Sequence, residues 1–145
     1  MYLVNFIRKD GGPNEEYYYH AEKEAVSHMA LFAEDNSNLY KCIVVSDESK
    51  NKVLQILCFD DEGKATSFKD GDIVRLHPDY CEMEERQFLY MITNINDRTM
   101  RAQIGCLNSG LRIPGTETVG LEMITPIDTA INSILHTNNI LVDKI

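Results

Sequence analysis

The feature that most constrains the fold of this chain is a strict two-residue alternation of apolar and polar side chains. It is most regular where Met100, Ala102, Ile104 and Cys106 alternate with Arg101, Gln103 and Gly105. Successive side chains of a β-strand point to opposite faces of the sheet, so this pattern predicts a strand with one buried face. An amphipathic helix would instead need apolar residues at every third or fourth position.

Similar segments around this strand predict a small β-domain in the second half of the chain. Gly71-Asp72 is a turn, and strands are predicted at 73–76, 88–95 and 119–124. The first loop is long and polar, whereas the later turns are short. Such a layout is typical of an SH3-like barrel, with an OB-like barrel or an open meander as alternatives.

The first half predicts two β-hairpins on either side of one helix. Residues 2–7, 16–20, 39–46 and 52–59 have the apolar and aromatic composition of strands. Within Ala21–Glu34, the apolar residues have helical spacing and would form one stripe along a helix: Ala25, Val26, Met29, Phe32 and Ala33. We therefore predict a ββαββ unit, with the helix lying across one face of a four-stranded antiparallel sheet.

Together these patterns predict an α+β protein with three consecutive regions. Residues 1–59 form the ββαββ subdomain, residues 60–70 the linker, and residues 71–145 an SH3-like barrel followed by a short C-terminal helix and a tail. Thr125 would be the N-cap of that helix and Pro126 its first residue. The apolar tail Ile140–Ile145 is expected to add a strand to a sheet, within the chain in preference to a partner chain.

Charge and composition restrict the partners and the compartment. The chain of 145 residues has a formal net charge of -9, and its 14 lysine and arginine residues are scattered. It should therefore repel a phosphate backbone, so we expect a protein partner, preferably a basic one, and no direct contact with nucleic acid. No apolar run reaches the roughly 20 residues needed to span a bilayer, so no membrane insertion is expected.

The cysteines and the N-terminus predict a cytoplasmic protein. The four cysteines, Cys42, Cys58, Cys81 and Cys106, form no C-x-x-C pair. The segment Met1–Arg8 lacks the basic start and small-residue cleavage site of a signal peptide. We therefore expect reduced thiols in a reducing compartment.

Catalytic and metal-binding motifs are weak. His77, Asp79, Cys81 and Glu82 lie close together, but a structural zinc site would need a further ligand pair that the other histidines do not supply. Phosphate-binding loops, nucleophile elbows and H-E-x-x-H motifs are missing from the sequence. We therefore expect no catalytic residue, metal or cofactor, and a small enzyme using the His77/Cys81 loop is an alternative.

A protein-binding surface is the better-supported expectation. Exposed tyrosines provide rigid contact area at low entropic cost, and clustered carboxylates attract basic proteins. The candidate contact residues are Tyr18, Asp79, Tyr80, Glu82, Glu84 and Glu85. The same acidic loops suggest an alternative, an inhibitor that blocks a nucleic-acid-binding protein by imitating its ligand.

The ββαββ half and the segment Phe68–Leu76, FKDGDIVRL, together resemble small uncharacterised accessory proteins of mobile elements in Gram-positive bacteria. The resemblance implies a non-catalytic protein that engages the machinery of the host or of the element. It agrees with the protein-binding module that the surface residues favour.

Overall fold

The computed structural model describes residues 1–32, 39–80, 83, 88–107 and 116–127. It divides the chain into two compact units, Met1–Lys69 and Asp70–Ile145. Each unit has its own antiparallel sheet, which confirms the predicted α+β class. None of the helices in the described ranges is both long and apolar enough to cross a membrane.

The first unit is a five-stranded sheet with one helix. In chain order its elements are β1 (Tyr2–Arg8), β2 (Glu15–Tyr19), α1 (Glu22–Phe32), β3 (Tyr40–Asp47), β4 (Lys52–Phe59) and β5 (Ala65–Lys69). The strand order is β2-β1-β3-β4-β5. All of its neighbouring strands are antiparallel. The helix and the two predicted hairpins are therefore present.

The fifth strand corrects the prediction of a four-stranded sheet. The sequence predicts a linker at residues 60–70, but residues 65–69 pair with β4, with Phe68 opposite Ile56. Phe68 is the one buried residue of this strand. An edge strand that buries a single side chain lacks the apolar alternation on which the sequence argument relied.

The helix packs on β1, β2 and β3 and covers the main core of this unit. Ala25 and Met29, both on the predicted apolar stripe, are buried there. They contact a cluster built from Val4, Phe6, Tyr40, Ile43, Val45, Leu57 and Phe59. Each fully buried aliphatic or aromatic side chain contributes about 1.5–3 kcal/mol, so this cluster is the main source of cohesion in the unit.

The second unit is also a five-stranded antiparallel sheet. Its strands are β6 (Ile73–Leu76), β7 (Tyr90–Asn96), β8 (Arg101–Cys106), β9 (Thr116–Gly120) and β10 (Ile124–Pro126). The order is β10-β6-β7-β8-β9, so the last strand lies beside the first. In β8, Ala102 and Ile104 are buried while Arg101 and Gln103 are exposed, as the alternation predicted.

The predicted start of the C-terminal helix is wrong. Thr125 and Pro126 belong to β10, where Pro126 lies opposite Val74. Proline cannot donate a backbone hydrogen bond, and it is tolerated here because β10 is at the edge of the sheet. The rest of the predicted helix and the tail Ile140–Ile145 lie outside the described residues. In the described part of the unit β9 and β10 are sheet edges, so the closed barrel stays a prediction.

Candidate functional site

Strand β2 is an exposed aromatic edge of the first sheet. Among the described strands, only β1 pairs with it. Its tyrosines alternate in direction: Tyr17 and Tyr19 lie on the helix side, whereas Tyr18 lies on the opposite face. The exposed fractions of Tyr17 and Tyr18 are 43% and 49%. The strand therefore offers a backbone edge and aromatic surface together.

His28, on the inner side of α1, is in contact with this aromatic strand. The Tyr19 hydroxyl lies 2.6 Å from His28 Nδ1, a short hydrogen bond. The ring of Tyr17 meets the imidazole edge-on at 4.8 Å, and Phe6 lies 5.4 Å from it. Partial burial lowers the pKa of His28, which favours the neutral imidazole. These contacts fix the position of α1 against β2.

An open groove of about 390 Å³ runs along the junction of β2 and α1. Its lining residues are Tyr19, Lys23, Glu24, Ser27, His28 and Leu31. The surface is mainly apolar, and Leu31 is 72% exposed. A small-molecule site normally encloses most of its ligand, which an open groove does not. The groove is better suited to a side chain of a bound polypeptide.

A polar network holds the start of β2. The Tyr40 hydroxyl donates to Glu15 Oε2 at 2.6 Å, and this bond raises the pKa of Tyr40 to about 12. Arg8 Nη1 lies 3.8 Å from the same carboxylate oxygen. Arg8 also forms a two-point contact with Asp10, which lowers the pKa of Asp10 to about 2. Arg8 is thus engaged by carboxylates and serves to order the β1–β2 turn.

The charge around this edge is negative. Residues 15–24 contain four glutamates and one lysine, a net charge of -3. Glu16 accepts a hydrogen bond from the Tyr18 hydroxyl at 3.2 Å, which raises the pKa of Tyr18. A basic segment would therefore meet a complementary potential along β2.

The structure places the predicted contact residues in separate units. Tyr18 lies on β2 in the first unit, whereas Asp79 and Tyr80 lie in a 3-10 turn, Pro78–Tyr80, of the second. Tyr80 is exposed, and its ring contacts His77 edge-on at 6.1 Å. Asp79 Oδ2 lies 3.5 Å from His77 Nδ1. Glu82, Glu84 and Glu85 are outside the described residues, so their part of the surface stays a prediction.

The structure does not test the alternative of a small enzyme. Cys81, its proposed nucleophile, lies outside the described residues. In the described ranges no three histidine, cysteine, aspartate or glutamate side chains are grouped in a way that could hold a metal ion. His77 and Asp79 alone make an exposed pair.

Comparisons with known proteins provide no relative from which to transfer a role. No protein-family model, no curated protein and no solved structure matches the chain. The function must therefore be inferred from the geometry of this molecule.

Sequence reasoning identified Tyr18 but missed the groove and His28. A signal was present: Glu24, Ser27, His28 and Leu31 are spaced by three and four positions, so they share one face of α1. This mixed stripe lies beside the apolar stripe that was recognised. It could not be assigned to a site without knowing that β2 lies along the same side of the helix.

Proposed function

We propose that this protein is a non-catalytic protein-binding module that takes an extended segment of a basic partner along the edge of β2. The observation that carries the proposal is the combination of an edge strand bearing exposed tyrosines with an open apolar groove beside it. An added strand gains backbone hydrogen bonds, while alternate side chains provide specificity. One such side chain would enter the groove between Tyr19 and Leu31.

Charge supports the choice of a basic partner. The net charge of -3 over residues 15–24 agrees in sign with the whole-chain charge of -9. A segment that alternates apolar residues with lysine or arginine would place its apolar residues toward the groove and its charges near the glutamates. The resemblance to accessory proteins of mobile elements suggests that this partner belongs to host or element machinery.

For the second unit we propose an SH3-like barrel. Three features support it: the last strand returns beside the first, a 3-10 turn at Leu121–Met123 joins β9 to β10, and β7 has a bulge between Ile92 and Asn94. Bulges let a strand bend and turn a sheet corner. Nuclear Overhauser contacts between the two ends of the sheet would support closure, and a flat sheet without them would refute it.

The binding proposal can be tested by selecting peptides from a displayed random library with the full chain. The enriched peptides should be extended and should alternate apolar with basic residues. Tyr18→Lys places a positive charge on the edge, and Leu31→Glu places a carboxylate in the groove. Each should weaken the selected peptides by about tenfold or more in calorimetric titration.

Lys64→Glu is the matched control, because Lys64 is exposed in the β4–β5 turn, at the opposite edge of the sheet from β2. It changes charge without changing the edge, so affinity should change little. Peptides that bind Tyr18→Lys and Leu31→Glu as well as the original protein would refute the proposed surface.

The acidic inhibitor remains a second candidate because the chain carries a net charge of -9. Binding by charge imitation should weaken steeply as salt rises, whereas strand addition depends mainly on backbone hydrogen bonds and apolar contact. A steep salt dependence that Glu82→Lys, Glu84→Lys and Glu85→Lys together abolish would favour the inhibitor. Binding that persists in high salt would reject it.

A further inference from the structure

Two cysteines lie directly opposite each other on the central strands of the first sheet. Cys42 on β3 is paired with Cys58 on β4. They form the last pair at one end of this ladder, next to the pair Ile43–Leu57. Residues opposed in an antiparallel ladder have Cα atoms about 4.5–5.5 Å apart, with both side chains on the same face. A disulfide needs a Cα separation of about 4.4–6.8 Å, so the backbone is already placed for one.

Neither Cys42 nor Cys58 is in a disulfide in the structure. They are also close enough to influence each other: burial is the main cause that raises the pKa of Cys58 to about 12, and the nearby Cys42 adds to it. With its pKa raised this far, Cys58 is a neutral thiol at neutral pH. Neither the protein-binding proposal nor the core described above uses this pair.

We propose that Cys42 and Cys58 form a dithiol site that a disulfide oxidant converts into a cross-strand disulfide. With glutathione disulfide, the Cys58 thiolate attacks one sulfur, forming a mixed disulfide and releasing one glutathione thiolate. The Cys42 thiolate then attacks the sulfur of Cys58 and displaces the second glutathione. The two protein thiols lose two electrons to the oxidant, and their two protons pass to the two glutathione thiolates.

Exposure assigns the two roles. Cys42 is 1% exposed, whereas Cys58 is only partly buried, so the bulky oxidant reaches Cys58 first. Cys42 needs no access to solvent, because its target is the sulfur of Cys58 across the ladder. The thiolate is the reactive form, so oxidation should be slow at neutral pH and should accelerate as pH rises.

The test uses the full chain with Cys81→Ser and Cys106→Ser, which leaves only the proposed pair. After treatment with glutathione disulfide at mildly alkaline pH, the intact mass should fall by two hydrogen atoms. Alkylation with N-ethylmaleimide should then add nothing, whereas the reduced protein, denatured before alkylation, should take up two equivalents. A digest should contain one disulfide-linked peptide pair joining Cys42 to Cys58, and the product should remain monomeric in denaturing gels.

Cys42→Ser in the same background is the matched control. It removes the second attack, so the mixed disulfide of Cys58 with glutathione should accumulate and the mass should rise by one glutathione. The outcome for the Cys81→Ser, Cys106→Ser protein decides the proposal even if this control fails to fold. A persistent glutathione adduct, a disulfide-linked dimer or two fully alkylated thiols in that protein would overturn it.

Discussion

Replacing Ile43 with alanine should destabilise the first unit strongly. Ile43 is 0% exposed on the central strand β3, and it lies between Phe6 on β1 and Leu57 on β4 in the ladder. The change removes three carbon atoms, which at about 0.8 kcal/mol each is a loss of about 2.4 kcal/mol. The residual cavity adds to this loss, since measured large-to-alanine changes in cores cost about 2–5 kcal/mol.

The assay follows from the distribution of tyrosines. The chain has no tryptophan, and five of its seven tyrosines lie in residues 1–69. Tyrosine fluorescence during urea unfolding therefore reports mainly on the first unit. We expect Ile43→Ala to lower the free energy of unfolding by about 3–4 kcal/mol, and Ile43→Val by about 0.5–1.5 kcal/mol.

Leu31→Ala is the surface control for this experiment. Leu31 is 72% exposed on α1, so its removal should change the free energy of unfolding by no more than about 0.5 kcal/mol. An Ile43→Ala protein with the urea midpoint of the original chain would refute the described core. So would a Leu31→Ala protein as unstable as Ile43→Ala.

Three further changes test the polar contacts and the backbone. Tyr40→Phe removes the donor to Glu15 and should lower the free energy of unfolding in urea by about 1–2 kcal/mol. Because the pKa of Tyr40 is raised from 10.0 to about 12, the stabilisation by this hydrogen bond is complete below pH 10 and is lost toward pH 12. The Tyr40→Phe protein should not show this loss of stability. Asp10→Asn should flatten the fall in thermal stability on acidification, because the lowered pKa of Asp10 makes its contribution present above pH 3.8 and lost toward about 2. Met100→Gly should melt at a higher temperature than Met100→Ala, since Met100 has a φ of 55° and only glycine relieves a left-handed strain of about 1 kcal/mol; an equal or lower value for Met100→Gly would contradict that strain.

The sequence was a good guide where a segment buries one complete face. The stripe containing Ala25 and Met29 located α1, and the alternation around Ala102 and Ile104 located β8. In both elements only one side is buried, so apolar residues recur in the sequence with the period of the helix or of the strand. Such segments can be predicted before any partner element is known.

The wrong secondary-structure predictions fall on strands that are held by backbone pairing with a neighbouring strand and not by burial of a complete face. β5 buries only Phe68 and is held by its ladder with β4. Thr125-Pro126 has the residues of a helix start, yet it pairs with β6. Local propensity contains no information about pairing with a strand that is distant in sequence. Tertiary pairing therefore determined the secondary structure of both segments.

The site was predicted in part for the same reason. Tyr18 could be identified from a run of tyrosines, because three adjacent aromatic residues on a strand cannot all face one core. The groove depends on how α1 lies across β2, which is a matter of tertiary packing. The residues next to His28 in sequence do not mark it as part of a site. Its role follows from its contacts with Tyr17 and Tyr19, which only the tertiary structure shows.

The return of β10 to β6 has a consequence for how the chain is made. The first sheet is complete once the chain reaches Lys69, although its pairing of β1 with β3 already joins Tyr2 to Asp47, 45 positions apart. The second sheet is complete only when Ile124 pairs with Leu76, which lies 48 positions before it. Because long-range contacts form slowly, a nascent chain would hold a finished N-terminal unit while β6 still has an open edge. During that interval the unpaired edge of β6 would be available for binding by a chaperone.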